Sequence, residues 1–306
     1  MAHNVAIIGS GLVGRSWAYL FANAGHAVRI YDASATSSAA AQAWLEGELP
    51  AGAMRLVSVV GSLEEALDGA DYVQESASEQ LPLKRDLFVR MTEAAPAGCI
   101  FASSTSALLP DAIFGVLPAA DRCLIAHPAN PPHVLPIVEL VGGTATSQAT
   151  LDRAADLMTS LGQDVVRVKR AAPGFVLNRL QSALIEEALA LVAAGVADPD
   201  DVDRTVRSGL GLRWAFVGPF ETMDLNAAGG FEAYATKLGP ALAASAPGGP
   251  ESSNWNGAAP SIVARHRREL LDVDEIPLRQ QWLVGRLRAL RALKGEENSM
   301  LGRERS

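Results

Sequence analysis

The stretch that decides the fold is NVAIIGSGLVG, residues 4–14, in which a short apolar run leads into three glycines. The apolar run predicts a β-strand, and the residues after the turn have the apolar spacing of an amphipathic helix. A strand, a glycine-rich turn and a helix in this order are typical of dinucleotide binding, because free N–H groups at the helix N-terminus attract a pyrophosphate. We assign Gly9 to the tight turn, Gly11 to the close approach of backbone to phosphate, and Gly14 to close packing of the helix on the strand.

A plain strand-turn-helix, with glycines needed only for its geometry, is the alternative interpretation of these residues. In the dinucleotide interpretation, Leu12 and Val13 offer the N–H groups that face the phosphates. Asp32 ends the second predicted strand and would accept hydrogen bonds from the adenosine ribose hydroxyls. A carboxylate there repels a 2′-phosphate, and residues 33–35 bring no arginine to bind one, so the predicted cofactor is NAD and not NADP. An aspartate that only caps a helix or closes a turn is the alternative.

Outward from this unit, short β-branched runs alternate with helical patterns, which predicts an α/β fold class. The expected architecture is an N-terminal Rossmann-type, doubly wound, mostly parallel sheet covered by helices. The predicted strands are 4–8, 27–31, 56–60, 72–75, 99–103, 122–126, 137–141 and 164–168. The predicted helices of this part are 12–24, 34–47, 63–68, 81–95 and 151–161.

After Pro173 the strand-like runs nearly vanish, and a long amphipathic helix is predicted over 175–195. We therefore predict an NAD-binding Rossmann domain over 1–173 and an all-helical domain for substrate binding and dimerisation over 174–306. Within the second domain, Pro and Gly predict a loop at 246–250, and the polar tail from residue 294 predicts a frayed end.

The composition excludes several classes of protein. With 49% hydrophobic and 20% charged residues, the chain has the composition of a globular protein, not of a disordered or fibrous one. A net charge of −8 repels phosphate backbones, so we expect no nucleic-acid partner. Cys99 and Cys123 lie in apolar runs and predict buried thiols in a reducing compartment. The sequence shows no secretory signal and no apolar run of membrane length, and we expect a cytoplasmic protein without a membrane span or a metal site.

Polar residues follow two of the predicted strands. Residues 103–106, Ser-Ser-Thr-Ser, come directly after an apolar strand, and strand C-termini are where doubly wound sheets bind ligands. An ordinary turn or helix cap is the alternative. A third polar residue, Asn178, lies in Pro-Gly-Phe-Val-Leu-Asn-Arg, residues 173–179, near the predicted domain boundary. It could reach a cleft, or it could only form a hydrogen bond across that boundary.

His127 also follows an apolar strand, in His-Pro-Ala-Asn-Pro-Pro. Glu139 lies in the apolar run 136–141, where a carboxylate is costly unless it is paired. A pair with His127 would fix the imidazole tautomer and raise its basicity, as a general base requires. A structural histidine is the alternative. The other histidines, which lack such a partner in the sequence and are predicted to be surface or packing residues, are His3, His26, His133 and His266.

With these segments in this order, the chain resembles the 3-hydroxyacyl-CoA dehydrogenase family over nearly its whole length. The active-site set that the resemblance implies is Ser106, His127, Glu139 and Asn178. Glu79 and Lys84 match the family's polar contacts to the nicotinamide half of the cofactor. Ser104 and Asn130, in the same polar segments, are also expected to contact the cofactor.

Several stretches are similar to the λ-crystallin branch of that family, which includes L-gulonate 3-dehydrogenase. These stretches are residues 11–18, 103–106, 127–132, 209–216 and 218–226. The segment between Asp32 and the third strand is shorter than in the acyl-CoA enzymes, where it helps to hold CoA. The resemblance therefore implies NAD-dependent oxidation of the 3-hydroxyl of a small hydroxy acid to a ketone. A short-chain 3-hydroxyacyl-CoA dehydrogenase, a carnitine dehydrogenase and a non-catalytic, NADH-binding crystallin-like protein are the alternatives.

Two further predictions concern the helical domain. Arg213, in Gly-Leu-Arg-Trp-Ala, is expected to bind the free carboxylate of the substrate bidentately, with a surface salt bridge as the alternative. The helix at 175–195 carries more apolar surface than one small domain easily covers, which predicts a homodimer unless later helices bury it. Its apolar residues are Leu177, Leu180, Ala183, Leu184, Ala188, Leu191 and Val192.

Overall fold

The structure is a computed structural model that describes residues 2–245 and 254–300. It divides into two compact units: a sheet unit that ends at Ala183 and a helical unit that begins at Leu184. The predicted boundary between domains, ten residues earlier, stays a prediction. No helix among the described residues is both long enough and apolar enough to cross a membrane.

Eight strands form one sheet in the order β3-β2-β1-β4-β5-β6-β7-β8. Neighbouring strands are parallel except β6 and β7, which are antiparallel. Because the chain winds from β1 to one edge and then returns to β4 on the other side, the predicted doubly wound, mostly parallel fold is confirmed. The strands are β1 (Asn4–Ile8), β2 (Ala27–Tyr31), β3 (Val57–Val59), β4 (Tyr72–Glu75), β5 (Ile100–Ser103), β6 (Cys123–Pro128), β7 (Ile137–Gly142) and β8 (Asp164–Val168).

Helices connect these strands, and their ends differ slightly from the predicted ones. The helices are α1 (Leu12–Asn23), α2 (Ala35–Glu48), α3 (Ala51–Met54), α4 (Leu63–Leu67), α5 (Leu81–Ala94), α6 (Pro110–Phe114), α7 (Gln148–Ser160) and α8 (Leu177–Ala193), the last of which continues into the helical unit. The helices α3 and α6, of four and five residues, were not predicted. The helix α7 begins earlier than predicted because the Ser147 hydroxyl accepts a hydrogen bond from the Thr150 N–H at 3.2 Å and caps it.

The core of the sheet unit lies on both faces of the sheet. Val5 and Ile7 of β1 belong to one buried apolar cluster, and Ala6 and Ile8 of the same strand belong to the other. A central parallel strand that is covered on both faces has this pattern. The carboxyl ends of the central strands are therefore held by packing from two sides, which gives the site a rigid base.

The helical unit contains no strand among its described residues, in agreement with the prediction. After α8 it forms α9 (Pro199–Thr205), a π-helical turn (Val206–Leu210), α10 (Gly211–Trp214), α11 (Pro219–Leu225), α12 (Gly230–Ala244), α13 (Ala259–Leu270) and α14 (Ile276–Met300). The predicted loop at 246–250 and the part of the predicted tail beyond residue 300 lie outside the described residues.

A buried ion cluster supplements a small apolar cluster in this unit. The apolar cluster has four buried residues: Val217, Leu225, Ile276 and Leu283. Asp224 of α11 is fully buried, and its carboxylate accepts hydrogen bonds from Arg267 at 3.3 Å, from Arg268, and from the Phe231 N–H at 2.7 Å. A carboxylate that is this deeply buried is tolerated only because charged partners surround it.

Candidate active site

The glycine turn between β1 and α1 requires glycine for its own packing. Gly9 has a φ of +95°, and a Cβ on it would lie 2.6 Å from the carbonyl carbon of Ser76. A Cβ on Gly14 would lie 1.9 Å from the carbonyl oxygen of Gly9. By contrast, a Cβ on Gly11 would meet nothing within 4 Å, so the backbone there borders open space. The turn leaves room for a ligand beside Gly11.

A cavity of about 460 Å³ lies beside this turn. Leu12 and Val13 begin α1, and the first N–H groups of a helix have no intrahelical partner. The side chains that border the cavity include Asp32, Ser76 and Arg90. Free N–H groups for a pyrophosphate and a carboxylate for a ribose fit NAD, whose pyrophosphate would lie against the glycine turn.

Asp32 is anchored by the glycine turn and by its own loop. One carboxylate oxygen accepts hydrogen bonds from the N–H and hydroxyl of Ser10 at 2.7 and 3.0 Å, and the other accepts one from the Ser34 N–H at 2.9 Å. Arg90 of α5 lines the same cavity, and its guanidinium lies 3.4 Å from the Glu64 carboxylate. This cation was not predicted, because Arg90 lies far from residues 33–35 in the sequence. The ribose contact of Asp32 stays a prediction.

A buried ion pair follows β4. Glu75 and Lys84 are 0% and 1% exposed, and the Lys84 ammonium lies 2.8 and 3.0 Å from the two oxygens of Glu75. Glu75 also accepts hydrogen bonds from the Ala77 N–H at 2.7 Å and from the Ser103 hydroxyl at 2.5 Å. Glu75 therefore holds the residues after β4 and the last residue of β5 in fixed positions. The expected contact of Lys84 with the cofactor stays a prediction, since its ammonium already holds Glu75.

Glu79 holds the polar segment that follows β5. Its carboxylate accepts hydrogen bonds from the Thr105 hydroxyl and from the N–H groups of Ser106 and Ala107 at 3.1 and 3.2 Å. Burial raises the pKa of Glu79, but these hydrogen bonds and the nearby Lys84 ammonium outweigh it and lower the pKa overall. Glu79 is thus an ionised carboxylate that shapes the loop of Ser106, and its contact with the cofactor stays a prediction.

The structure brings His127 and Glu139 together. They are direct neighbours in the antiparallel pairing of β6 and β7, and His127 Nδ1 lies 2.8 Å from Glu139 Oε2. Both side chains are buried, with 5% and 1% exposed. The ring of Phe175 lies 5.6 Å from the imidazole, centroid to centroid, and covers it. A buried, paired imidazole of this kind is suited to proton transfer.

The second oxygen of Glu139 binds the start of α8. It accepts hydrogen bonds from the N–H groups of Val176 and Leu177 at 2.8 and 2.9 Å. Gly174 and Phe175 have φ values of +76° and +47°, and this left-handed pair turns the chain so that both N–H groups face one anion. The Pro-Gly-Phe motif therefore serves to bring a helix N-terminus onto Glu139.

These contacts keep Glu139 ionised. Burial raises its pKa, but hydrogen bonds from the His127 ring and from the N–H groups of Leu177 and Val176 outweigh burial and lower the pKa overall. An ionised Glu139 accepts the Nδ1 proton of His127. The other ring nitrogen, Nε2, is then left without a proton and can act as a base.

Asn178 lies next to Ser106. The Asn178 side-chain amide donates a hydrogen bond to the Ser106 carbonyl at 3.0 Å, which ties the first turn of α8 to the loop after β5. The Ser106 hydroxyl has no hydrogen bond to the residues that the structure describes. Ser106, His127, Glu139 and Asn178 thus belong to one connected group of segments within the sheet unit.

Two expected cofactor residues occupy different environments. The Ser104 hydroxyl accepts hydrogen bonds from the Trp17 indole at 3.2 Å and the Gln74 amide at 2.7 Å, and lies 2.9 Å from the Ser76 hydroxyl. Asn130 is exposed in the loop that follows β6. Contact of either residue with the cofactor stays a prediction.

The other histidines have packing or surface positions. His133 Nδ1 lies 3.1 Å from the Ser16 hydroxyl, and His26 accepts a hydrogen bond from the His3 N–H at 3.0 Å. Burial and the neighbouring His3 lower the pKa of His26. Two of these histidines do have nearby carboxylates, contrary to the prediction: His3 lies 3.9 Å from Asp71, and His266 lies 3.3 Å from Glu269. Both pairs are exposed, so neither resembles the buried pair of His127.

Arg213 lies in α10 of the helical unit and is half-buried. Its guanidinium makes no hydrogen bond or ion pair with any described residue, so the alternative of a surface salt bridge is not found there. Its binding of a substrate carboxylate stays a prediction. Among the described residues, no cluster of histidine, cysteine and acidic side chains has the composition of a metal site.

Glu75 was not predicted as a site residue, although the sequence carries a signal for it. Glu75 lies in the predicted strand 72–75, and the reasoning that singled out Glu139 in an apolar run applies equally to it. Gln74 and Ser76, on either side, were also missed, because their role depends on contacts across the sheet.

Two family models match the chain, one in each of the two predicted domains. The sequence model described as "3-hydroxyacyl-CoA dehydrogenase, NAD binding domain" matches residues 4–171. The model described as "3-hydroxyacyl-CoA dehydrogenase, C-terminal domain" matches residues 174–248. Together they span well over half of the chain.

Relatives of known name are similar over most of their length. The lambda-crystallin homolog of Bos taurus is 46% identical over 239 residues, which are 74% of this chain and 74% of that protein. The L-carnitine dehydrogenase of Pseudomonas syringae pv. syringae is 38% identical over 247 residues, 78% of each chain. The crystal structure of a 3-hydroxyacyl-CoA dehydrogenase from Archaeoglobus fulgidus superposes with a TM-score of 0.77, covering 96% of this chain and 99% of that one. At 24% identity it shows a shared fold.

Proposed function

The chain belongs to the 3-hydroxyacyl-CoA dehydrogenase family, and from that premise we propose that it oxidises the 3-hydroxyl of a small hydroxy acid to the 3-keto acid. It is an NAD-dependent dehydrogenase that acts on a CH–OH group. The observation that carries the proposal is the buried pair of His127 and Glu139, 2.8 Å apart. A positioned base contributes on the order of 100- to 10,000-fold to the rate.

His127 is the proposed general base. Because Nδ1 donates a hydrogen bond to the Glu139 carboxylate, Nε2 is the nitrogen that takes the proton of the substrate hydroxyl. NAD, when bound, supplies the acceptor for the hydride that leaves the carbon bearing this hydroxyl. Glu139 orients the ring and stabilises the imidazolium that forms, and the N–H groups at the start of α8 keep its charge in place.

Ser106 and Asn178 are proposed to bind the reacting oxygen or a neighbouring carboxylate. The Ser106 hydroxyl has no hydrogen-bond partner among the described residues, so it is available to a ligand. Asn178 is fixed by its hydrogen bond to the Ser106 carbonyl. These two side chains would orient the substrate, while His127 moves the proton.

We further propose that the enzyme prefers NAD over NADP by at least about tenfold, because Asp32 would face the 2′-phosphate. Arg90 lines the same cavity, and a cation there favours a 2′-phosphate. Its guanidinium is already paired with the Glu64 carboxylate, so we expect the preference for NAD to remain. Titration of both cofactors measures the preference, and Asp32→Ala should narrow it. Equal affinities in the wild type would contradict the proposal.

The substrate is proposed to be a free acid and not a thioester. Arg213 has no anionic partner among the described residues, and a guanidinium binds a carboxylate bidentately. A thioester offers no negative charge to it. The segments that resemble L-gulonate 3-dehydrogenase make L-gulonate one candidate. Carnitine, the substrate in the name of a 38% identical relative, also carries a 3-hydroxyl and a carboxylate, so it belongs to the same class.

The experiment for this substrate class is Arg213→Met. It should raise the KM for the free acid tenfold or more, about 1.4 kcal/mol per factor of ten, while the Kd of NADH stays unchanged. Arg207→Met, which removes an exposed arginine from the preceding turn, is the matched control and should leave KM as it is. An unchanged KM in the Arg213 variant would remove its proposed role.

A homodimer formed through residues after 173 is proposed from the surface of α8. None of its residues is buried, and Leu180, Ile185 and Leu189 are 63%, 49% and 61% exposed. Apolar surface on this scale favours association with a second copy. Leu189→Glu should lower the mass measured by light scattering, whereas Val116→Glu, at a 93% exposed position of the sheet unit, should not. A monomeric wild type at micromolar concentration would contradict the dimer.

A further inference from the structure

A buried chain of polar groups lies behind the glycine turn. The Tyr72 hydroxyl donates a hydrogen bond to the Gln74 side-chain oxygen at 2.8 Å, and the Gln74 amide donates to the Ser104 hydroxyl at 2.7 Å. The same amide faces the Ala126 carbonyl at 3.4 Å. Because a carbonyl can only accept, the amide group that faces it must be NH₂, which fixes the orientation of Gln74.

These contacts determine the direction of the Ser104 proton. The Trp17 indole N–H can only donate, and it reaches the Ser104 oxygen at 3.2 Å, so Trp17 and Gln74 together occupy both lone pairs of that oxygen. The Ser104 proton must then go to its remaining neighbour, the Ser76 oxygen at 2.9 Å. Ser76 is therefore an acceptor toward Ser104, and its own proton has no acceptor in the part of the chain that the structure describes.

Ser76 borders the cavity beside the glycine turn. It lines this cavity together with Gly9, Gly11 and Asp32. Its carbonyl carbon lies only 2.6 Å from the position that a Cβ on Gly9 would take, so the two segments are in close contact. The backbone after Ser76 is also fixed, because the Ala77 N–H binds the buried Glu75 carboxylate at 2.7 Å. A donor with a defined direction thus stands where phosphate oxygens, which only accept at neutral pH, are expected.

We propose that Ser76 is a dinucleotide-binding residue whose hydroxyl donates a hydrogen bond to a pyrophosphate oxygen. In this proposal Ser104 is a positioning residue, which keeps the Ser76 proton free for a ligand, and this role replaces the direct cofactor contact predicted for Ser104 from the sequence. The proposal rests on NAD binding and not on the identity of the hydroxy acid. Its test can therefore fail or succeed independently of the proposed substrate.

The test is the Kd of NADH, ADP and adenosine for the Ser76→Ala variant, measured by calorimetric titration. Loss of a hydrogen bond to a charged group should raise the Kd of NADH and of ADP about five- to tenfold, and leave that of adenosine unchanged. Ser58→Ala, an exposed serine on β3, is the matched control. An unchanged Kd for NADH, or a loss with NADH but not with ADP, would overturn the assignment to pyrophosphate.

A double-mutant cycle tests the role of Ser104. Ser104→Ala should weaken NADH binding two- to threefold in the wild type, because the Ser76 hydroxyl then rotates freely, and should have no further effect in the Ser76→Ala background. Equal factors in both backgrounds would mean that Ser104 acts independently of Ser76 and would overturn its positioning role. Thermal midpoints of all variants identify any that fold poorly. The Ser76→Thr variant keeps a hydroxyl at this position, so it should retain NADH binding.

Discussion

In the sheet unit, a single strand, β1, sends Val5 and Ile7 into one buried cluster and Ala6 and Ile8 into another. In the helical unit, the apolar cluster has four buried side chains, and the fully buried Asp224 with its arginines takes the place of further apolar packing. The helix that leads from one unit to the other, α8, buries none of its residues.

The two units are therefore stabilised by different forces. The sheet unit has a complete apolar core of its own, so it can hold His127, Glu139 and the glycine turn in fixed positions. The helical unit relies on charge pairing and leaves apolar side chains exposed, which is the behaviour of a unit that needs a partner surface. We therefore expect the largest loss of kcat from a substitution in the sheet unit, and the effects on assembly from substitutions on the exposed apolar surface.

The largest effect is expected for His127→Ala. Removal of the base should reduce kcat by about 100- to 10,000-fold, while the Kd of NADH stays within twofold of the wild type. His266→Ala, which removes an exposed histidine of the helical unit, is the control and should keep full activity. Activity near the wild-type level in the His127 variant would show that the sheet unit does not supply the base.

The next effect is expected for Asp224→Ala, measured as the free energy of unfolding in urea. Two arginines would lose their buried partner, so we expect a loss of about 3–5 kcal/mol. Asp201→Ala breaks only the exposed pair with Arg204 and should cost less than about 1 kcal/mol. Equal losses from the two substitutions would contradict the claim that charge pairing holds the helical unit.

A smaller effect is expected for Glu139→Gln. Its ionised carboxylate holds the His127 ring and two N–H groups, so the variant should lose about 1.5–3 kcal/mol of stability at neutral pH. Because the folded pKa of Glu139 lies below its usual value of 4.5, this stabilisation is fully present above that pH and is lost as the pH falls through the folded pKa.

The difference in unfolding free energy between the wild type and Glu139→Gln should therefore be constant near neutral pH and shrink below about pH 4.5. The same variant should lower kcat, since the carboxylate that orients the His127 ring and stabilises its imidazolium is removed. A difference that grows on acidification would contradict this assignment.

The smallest effect is expected for modification of the two thiols by a disulfide reagent. Because Cys99 and Cys123 lie in the sheet unit, their modification reports on the unfolding of that unit alone. Burial raises the pKa of both Cys99 and Cys123 to about 12, so neither forms the reactive thiolate at neutral pH. In a urea titration, helix content should begin to fall before a disulfide reagent modifies either thiol. Coincident transitions would mean that the two units unfold as one.

Much of the fold was predictable because its signals are local. The glycine turn and the alternation of strands and helices are encoded in residue spacing, and the predicted strands all formed. The short helices α3 and α6 were not predicted, because one helical turn gives only a weak periodic signal. The buried charge of Asp224 was also missed, since its partners Arg267 and Arg268 come from a different helix.

The candidate site was predictable where a residue conflicts with its surroundings. Glu139 stands out in an apolar strand, and His127 follows such a strand, so their pairing could be proposed. The direction of the Ser104 proton could not, because it depends on which side chains of three neighbouring elements meet in the folded chain. The contact of Asp32 with Ser10, in the glycine turn after the neighbouring strand, was hidden for the same reason.

The preference for a free acid is tested by measuring kcat/KM of the purified protein for four substrates, with NAD as the cofactor. The substrates are L-gulonate, 3-hydroxybutyrate, L-carnitine and 3-hydroxybutyryl-CoA. NADH formation is followed by its absorbance, and the His127→Ala variant serves as the inactive reference. We predict that at least one free 3-hydroxy acid is oxidised with a higher kcat/KM than the CoA ester. A higher kcat/KM for 3-hydroxybutyryl-CoA would contradict the assignment to free acids, and no turnover of any of the four would contradict the proposed activity itself.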